Sequence, residues 1–213
     1  MTKYRMLLLG DSHIPRRANE IPQPILDEIT CLANEELFDY TFFTGDLISY
    51  EEFIDFLDSK TKKPLFRVMG NMDYYAGKRD YPNYQELKIS IHERNQEKLI
   101  IGMTHGSEIR NRGNHSELED LARNKGYNIL ISGHTHQEEV VFRKTGILLL
   151  NPGSITGAWS FIASGIPSFI QLFLNSETGD IKVVLNQLEQ ENQQIIKTKS
   201  YFIFENNQIK QKY

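Results

Sequence analysis

Ile129-Leu130-Ile131-Ser132-Gly133-His134-Thr135-His136 is the stretch on which the reading of this chain turns. A short apolar run stops at Ser-Gly and at once presents two histidines, one residue apart. Alternate residues of an extended chain point the same way, so the imidazoles of His134 and His136 can face one small ion. Neutral imidazole is a common ligand for first-row metals. A His-x-His pair alone is weak evidence, because it arises by chance on any strand. Its weight depends on whether the rest of the chain supplies matching ligands.

Working outward, the N-terminal third repeats one pattern. Arg5 to Leu9 reads as a buried strand broken by Gly10 and followed by Asp11-Ser12-His13. From Pro24 onward, Ile25, Leu26, Ile29 and Leu32 recur at helical spacing. Phe38 to Thr44 is a second strand ending at Gly45-Asp46, and Phe53, Ile54, Phe56 and Leu57 mark a second helix. Leu65 to Met69 is a third strand, ending in Gly70-Asn71-Met72-Asp73. Strand, Gly-polar turn, helix, repeated, predicts a largely parallel sheet with covering helices. Ligands of open α/β sheets bind at the carboxyl ends of the strands, where each of these turns places a metal-capable side chain.

Beyond it, Tyr74 to Glu86 reads as polar loop, and Leu87 to His92 with Lys98 to Met103 as a hairpin turning at Asn95-Gln96. The second of these strands ends in Thr104-His105-Gly106, another histidine at a strand end. Ser116 to Glu119 has capping-box spacing and starts a helix carrying Leu118, Leu121 and Ala122. Glu139 to Arg143 and Ile147 to Leu150 form a hairpin about Lys144-Thr145-Gly146, closed by Asn151-Pro152-Gly153-Ser154. An apolar loop, Ile155 to Ile166, leads to strands Ser168 to Leu174, Ile181 to Leu188 and Ile195 to Phe204. The expected organisation is one domain over residues 1–204 and a polar tail, 205–213, that frays.

The composition sets limits. With 213 residues, 39% hydrophobic and 24% charged, the chain can bury a sizeable core. A formal net charge of -4 gives no footprint for nucleic acid. Cys31, the single cysteine, excludes an intrachain disulfide and reads as a small buried residue of the first helix. The first apolar run, Met6 to Leu9, is too short for a signal peptide or a membrane span. The expectation is a cytoplasmic protein that partners could still recruit to a membrane.

Collected in order, the residues at the strand ends are Asp11, His13, Asp46, Asn71, His105, His134 and His136, and only His92 and His115 among the six histidines fall elsewhere. Seven oxygen and nitrogen ligands are too many for one tetrahedral zinc and suit two ions sharing a carboxylate. Asp11-x-His13, Gly45-Asp46, Gly70-Asn71, Thr104-His105-Gly106 and Gly133-His134-Thr135-His136 resemble, in order, the motifs of the calcineurin-like metallophosphoesterases. The resemblance implies a four-layered α/β/β/α sandwich of two mixed sheets. It implies that Asp11, His13, Asp46 and His136 hold one divalent ion and that Asp46, Asn71, His105 and His134 hold the other. Manganese or zinc is favoured over iron or nickel, with Asp46, Asn71 and His105 as catalytic residues.

Outside the ligands, Leu9 to Pro15, Asn151 to Ser154, Thr156-Gly157-Ala158 and Ile166 to Phe169 resemble the branch of that family that serves as a retromer coat subunit. That likeness implies a metal-binding scaffold in protein trafficking, docking a helical-solenoid partner through Trp159, Phe161, Ile162 and Ile166. The alternative is a manganese-dependent phosphodiesterase or phosphomonoesterase. Two departures bear on the choice. Asp46 and Asn71 stand in the hydrolase arrangement, whereas Met72 stands where hydrolases usually carry a histidine that acts on the leaving group. Arg16, Arg17, Arg110 and Arg112 read as solvated loop charge, the last two lying where the coat branch shows apolar residues.

Overall fold

In the computed structural model, which describes residues 3–91 and 97–212, the Met6-Leu7-Leu8-Leu9 run is apolar throughout because both faces of its strand are covered. β1 (Lys3–Leu9) turns Met6 and Leu8 toward a second sheet and Leu7 and Leu9 toward helices. α1 (Gln23–Glu35) and α2 (Glu51–Ser59) lay Ile25, Ile29, Leu32, Phe53 and Leu57 on that helical side. Between and after them come β2 (Tyr40–Phe43), β3 (Phe66–Arg67), the short α3 (Asn71–Tyr75), β4 (Tyr84–Ile91) and β5 (Glu97–Thr104). α4 (His115–Lys125) follows, then β6 (Ile129–Ile131), β7 (Glu138–Arg143) and β8 (Ile147–Pro152). β9 (Ser168–Asn175), β10 (Asp180–Glu189), β11 (Gln194–Glu205) and β12 (Gln208–Lys212) complete the chain.

One sheet runs β12-β11-β10-β9-β1-β2-β3 and the other β4-β5-β6-β8-β7. In each, a parallel trio (β1-β2-β3 and β5-β6-β8) is extended by antiparallel strands, so both sheets are mixed. Their inner faces meet in one core that includes Leu8, Phe42, Ile101, Ile131, Leu150 and Leu172. α4 seals the far side of the second sheet with Leu118 and Ala122 on Leu130 and Leu149. The layers are therefore helix, sheet, sheet, helix. No helix among the described residues is long and apolar enough to cross a membrane.

Register places the site. Leu9 pairs with Phe43 and Phe43 with Arg67, while Met103 pairs with Ile131 and Ile131 with Leu150. Each parallel trio thus ends level, and the turns after β1, β2, β5 and β6 emerge at one edge.

Several expectations are corrected. Cys31 is exposed, because the buried face of α1 is Ile25, Ile29, Leu32 and Ala33 and position 31 points away from it. The N-cap of α4 is Asn114, whose side chain accepts from the Ser116 and Glu117 amides; Ser116 lies inside the helix. The segment after Asn71 is helical, and β4 begins at Tyr84 within the expected loop. β4 and β5 are antiparallel as expected of a hairpin, but Asn95-Gln96 and His92 lie outside the described residues. The polar tail does not fray, since Gln208–Lys212 pairs with β11 and buries Ile209 in the inter-sheet core. If that strand is structural, Ile209→Ala should lower stability by about 2–4 kcal/mol in urea unfolding, and a variant as stable as wild type would show the strand to be dispensable.

Candidate metal centre

The ligand turns need backbone that ordinary residues avoid. Asp11, His13, Asp46, His134 and His136 all have positive φ, between 51° and 70°. Left-handed backbone costs on the order of 1–3 kcal/mol per non-glycine residue and persists only where the surroundings enforce it. Here the enforcement is visible as hydrogen bonds. The amide of Asp11 donates to Gly45 O at 2.9 Å and that of His13 to Asp46 O at 3.0 Å, locking the first turn to the second. The amide of His134 reaches the Asp11 carboxylate at 3.2 Å.

These turns bring six of the seven expected side chains into short-range contact. Asp46 Oδ2 lies 3.2 Å from His13 Nε2 and 3.5 Å from His105 Nε2. Asp11 Oδ1 lies 3.4 Å from His136 Nε2 and 3.8 Å from His13 Nε2, and the two Nε2 atoms are 2.9 Å apart. Asn71 Oδ1 is 3.0 Å from His105 Nε2. Two groups have ligand atoms close enough to share an ion: Asp11, His13 and His136, and Asp11, Asp46 and His105. His134, half-buried, stands outside both groups, with its ring centroid 5.1 Å from that of His105.

The donor chemistry fits a cation. A carbonyl can only accept, so His105 Nδ1, 2.8 Å from Thr44 O, carries the ring proton, as does His136 Nδ1, 2.8 Å from Ala158 O. That leaves both Nε2 lone pairs aimed at carboxylate, amide or imidazole acceptors, an arrangement a shared cation relieves. His13 Nδ1 is buried with no hydrogen-bond partner among the described residues.

Burial opposes charge on Asp11, but His136 and the hydrogen bonds from His13 and His136 outweigh it and hold its pKa well below the usual carboxylate range. Burial pushes Asp46 the other way; His105 offsets this only in part, and the charge of Asp11 adds to it. Burial also opposes charge on His105, yet Asp46 and Asp11 prevail and raise its pKa. His134 is pushed down to about 3 by burial, His105 and Arg112, which keeps its ring neutral and able to ligate.

Three supports were not evident from sequence. Asp73, fully buried, accepts from the amides of Asp46 and Ile48 at 2.8 Å each and of Gly70 at 3.1 Å. The signal was its place three residues after Gly70, at the start of a helix. Ser154 Oγ donates to Asp11 O at 2.7 Å, and Asn151 Nδ2 donates to Thr135 Oγ1 at 2.8 Å. The 151–158 loop therefore buttresses the ligand turns, and its Ala158 carbonyl orients His136.

The expected docking residues lie next to this loop. Trp159, Phe161 and Ile162 are exposed and Ile166 is half-buried.

Close packing gives a test. A Cβ on Gly70 would lie 2.0 Å from Asp46 Oδ1 and 2.3 Å from Asp46 N, so only glycine fits beside that carboxylate. Gly70→Ala should weaken divalent-metal binding by roughly 10–100-fold in a calorimetric titration; wild-type affinity in the folded variant would refute this account of Asp46.

Comparison with known proteins agrees with the geometry. Residues 4–167 match the model of the calcineurin-like phosphoesterase superfamily domain. A probable metallophosphoesterase of Methanothermobacter thermautotrophicus is 34% identical over 149 residues, covering 70% of this chain and 76% of that one. Among solved structures, vacuolar protein sorting 29 of Cryptosporidium parvum superposes with a TM-score of 0.78 at 26% identity, over 94% of this chain and 98% of that one. Vps29 of Entamoeba histolytica, complexed with zinc, gives 0.76 at 27% identity, over 92% and 98%. With the matched region spanning β1 through the loop that braces the ligand turns, the chain belongs to the calcineurin-like phosphoesterase superfamily.

Proposed function

We propose that this protein is a metal-dependent phosphoric ester hydrolase with a dinuclear centre. The observation that carries the reading is Asp46 Oδ2, which stands between His13 and His105, 3.2 and 3.5 Å from their Nε2 atoms. One carboxylate oxygen flanked by histidines of both halves is what two ions sharing a ligand require. Asp11, His13, Asp46 and His136 would hold one ion, and Asp46, Asn71, His105 and His134 the other. When bound, two divalent ions neutralise phosphoryl oxygens and acidify a water. Imidazole mixed with carboxylate and amide oxygen suits manganese or zinc.

The chain's own part is positioning. Thr44 O and Ala158 O fix the ring orientations of His105 and His136, and Asp73 fixes the turn that aims Asp46. Met72 uses its amide to hold Asp46 Oδ1 at 2.7 Å, but its thioether has no proton to give a leaving group. A general-acid contribution of roughly 10²–10⁴-fold is absent from that position, so the site favours substrates whose leaving group departs as a stable anion. With manganese present, hydrolysis of an aryl phosphodiester should fall at least about 100-fold in Asp46→Ala and stop on chelation. An Asp46→Ala enzyme as active as wild type would sink the reading.

One observation favours a scaffold role alongside it. Trp159, Phe161 and Ile162 are 62%, 82% and 42% exposed, with the Trp159 and Phe161 rings 5.1 Å apart edge to face. Exposed aromatics clustered this way mark binding hot spots, and the likeness to Vps29 supports a helical-solenoid coat partner and peripheral recruitment to endosome-like membranes. In that reading Phe161→Asp abolishes binding to such a partner in a purified pull-down while metal content stays unchanged; undiminished binding would remove the patch from consideration.

A further inference from the structure

Two arginines that the sequence offers as loop charge end beside the centre. Arg112 donates from Nη2 to the carbonyl of His134. Arg17 donates from Nη1 to Trp159 O at 3.0 Å, with its guanidinium carbon 5.9 Å from the centroid of the Trp159 ring. Trp159 follows Ala158, whose carbonyl holds His136. Both guanidinium groups are thus pinned to backbone adjoining the His134-x-His136 ligands.

Arg5, Arg67, Arg123 and Arg143 each have a carboxylate within ion-pair distance, whereas none is found for Arg17 or Arg112 among the described residues. Arg112 is half-buried, and its Nε is buried without a partner. Burial disfavours its charge, Asp11 and Asp46 support it, and Arg17 is near enough to oppose it. With ions bound, those two carboxylates would be neutralised, leaving two preorganised guanidinium groups beside a cationic centre. The planar guanidinium fork matches phosphate oxygens.

We propose that Arg17 and Arg112 form a subsite for a second phosphate on the substrate, so that the preferred substrates are small phosphoesters carrying two phosphate groups. The proposal rests on the reading that the metal centre takes the reacting phosphate. Arg112 is fixed to the backbone of His134, and Arg17 to the loop whose Ala158 carbonyl holds His136. A bisphosphate would therefore be held at one end by the ions and at the other by the arginines.

Trp159 is the only tryptophan in the chain and stacks with Arg17, so its emission reports on the subsite without turnover. Zinc-loaded protein would be titrated with fructose 1-phosphate and with fructose 1,6-bisphosphate. Wild type should bind the bisphosphate about ten-fold more tightly, the factor expected of one or two charge-assisted hydrogen bonds. Arg112→Gln should erase most of that preference, read as the ratio of the two affinities within the same variant. Arg17→Gln, read by calorimetry because the change touches the fluorophore, should do the same and carries the test if Arg112→Gln fails to fold. Equal affinities in wild type, no binding of either sugar phosphate, or a preference that survives both substitutions would overturn the subsite. An arginine-dependent preference without any aryl-ester turnover would leave the subsite standing and remove the hydrolase reading, whereas turnover without preference would do the reverse.

Discussion

Asp11 and Asp46 are both buried at the end of the inter-sheet core, their ligand oxygens close enough to share a cation. Two carboxylates taken out of water so near each other are costly unless positive charge or hydrogen-bond donors compensate them. Asp11 is met by His13, His136 and the His134 amide, and Asp46 by His13, His105 and the Met72 amide. The arrangement of the surrounding turns follows from that requirement. Histidines are drawn in from two further turns, the outer nitrogens of His105 and His136 are satisfied by Thr44 O and Ala158 O, and glycine stands at positions 70 and 133, where a side chain would strike a carboxylate.

Such an arrangement stores strain as well as charge. Five candidate ligand residues in left-handed backbone would relax if the sheets could yield. They cannot, because β1, β2, β5, β6 and β8 are buried, their parallel registers end level, and the two sheets pack through a continuous apolar core. The long antiparallel strands β9 to β12 carry no proposed ligand, yet they extend the sheet of β1, with β9 paired along it, and add Ile170, Leu172, Val183 and Phe202 to the inter-sheet core. Rigidity there holds the ligand atoms within coordinating distance.

The same edge carries apolar and basic surface. The loop that braces His136 continues into exposed Trp159 and Phe161, and Arg17 binds that loop's backbone. The candidate metal centre, Arg17 and the aromatic patch are therefore joined through residues 154–162.

Much of this was legible in the chain, because local chemistry leaves local signs. Apolar runs ending in Gly-polar turns announced strands whose ends bear ligands, and five such motifs in order announced the family. Alternation and helical spacing likewise located most strands and helices. What resisted was set by contacts far apart in sequence. Cys31 is exposed because of which face of α1 meets the sheet, and the polar stretch 208–212 is a strand because β11 offers it an edge. The importance of Asp73 lies in three backbone amides it accepts from, two of them more than twenty residues away. Sequence by itself determined which residues are able to ligate and that they sit at strand ends, since donor atoms and turn propensities are local properties. Only the tertiary structure decided that Asp46 lies between His13 and His105 and that Arg17 is fixed to the backbone of Trp159, because sheet register and loop packing bring together groups that chain order keeps more than ninety residues apart.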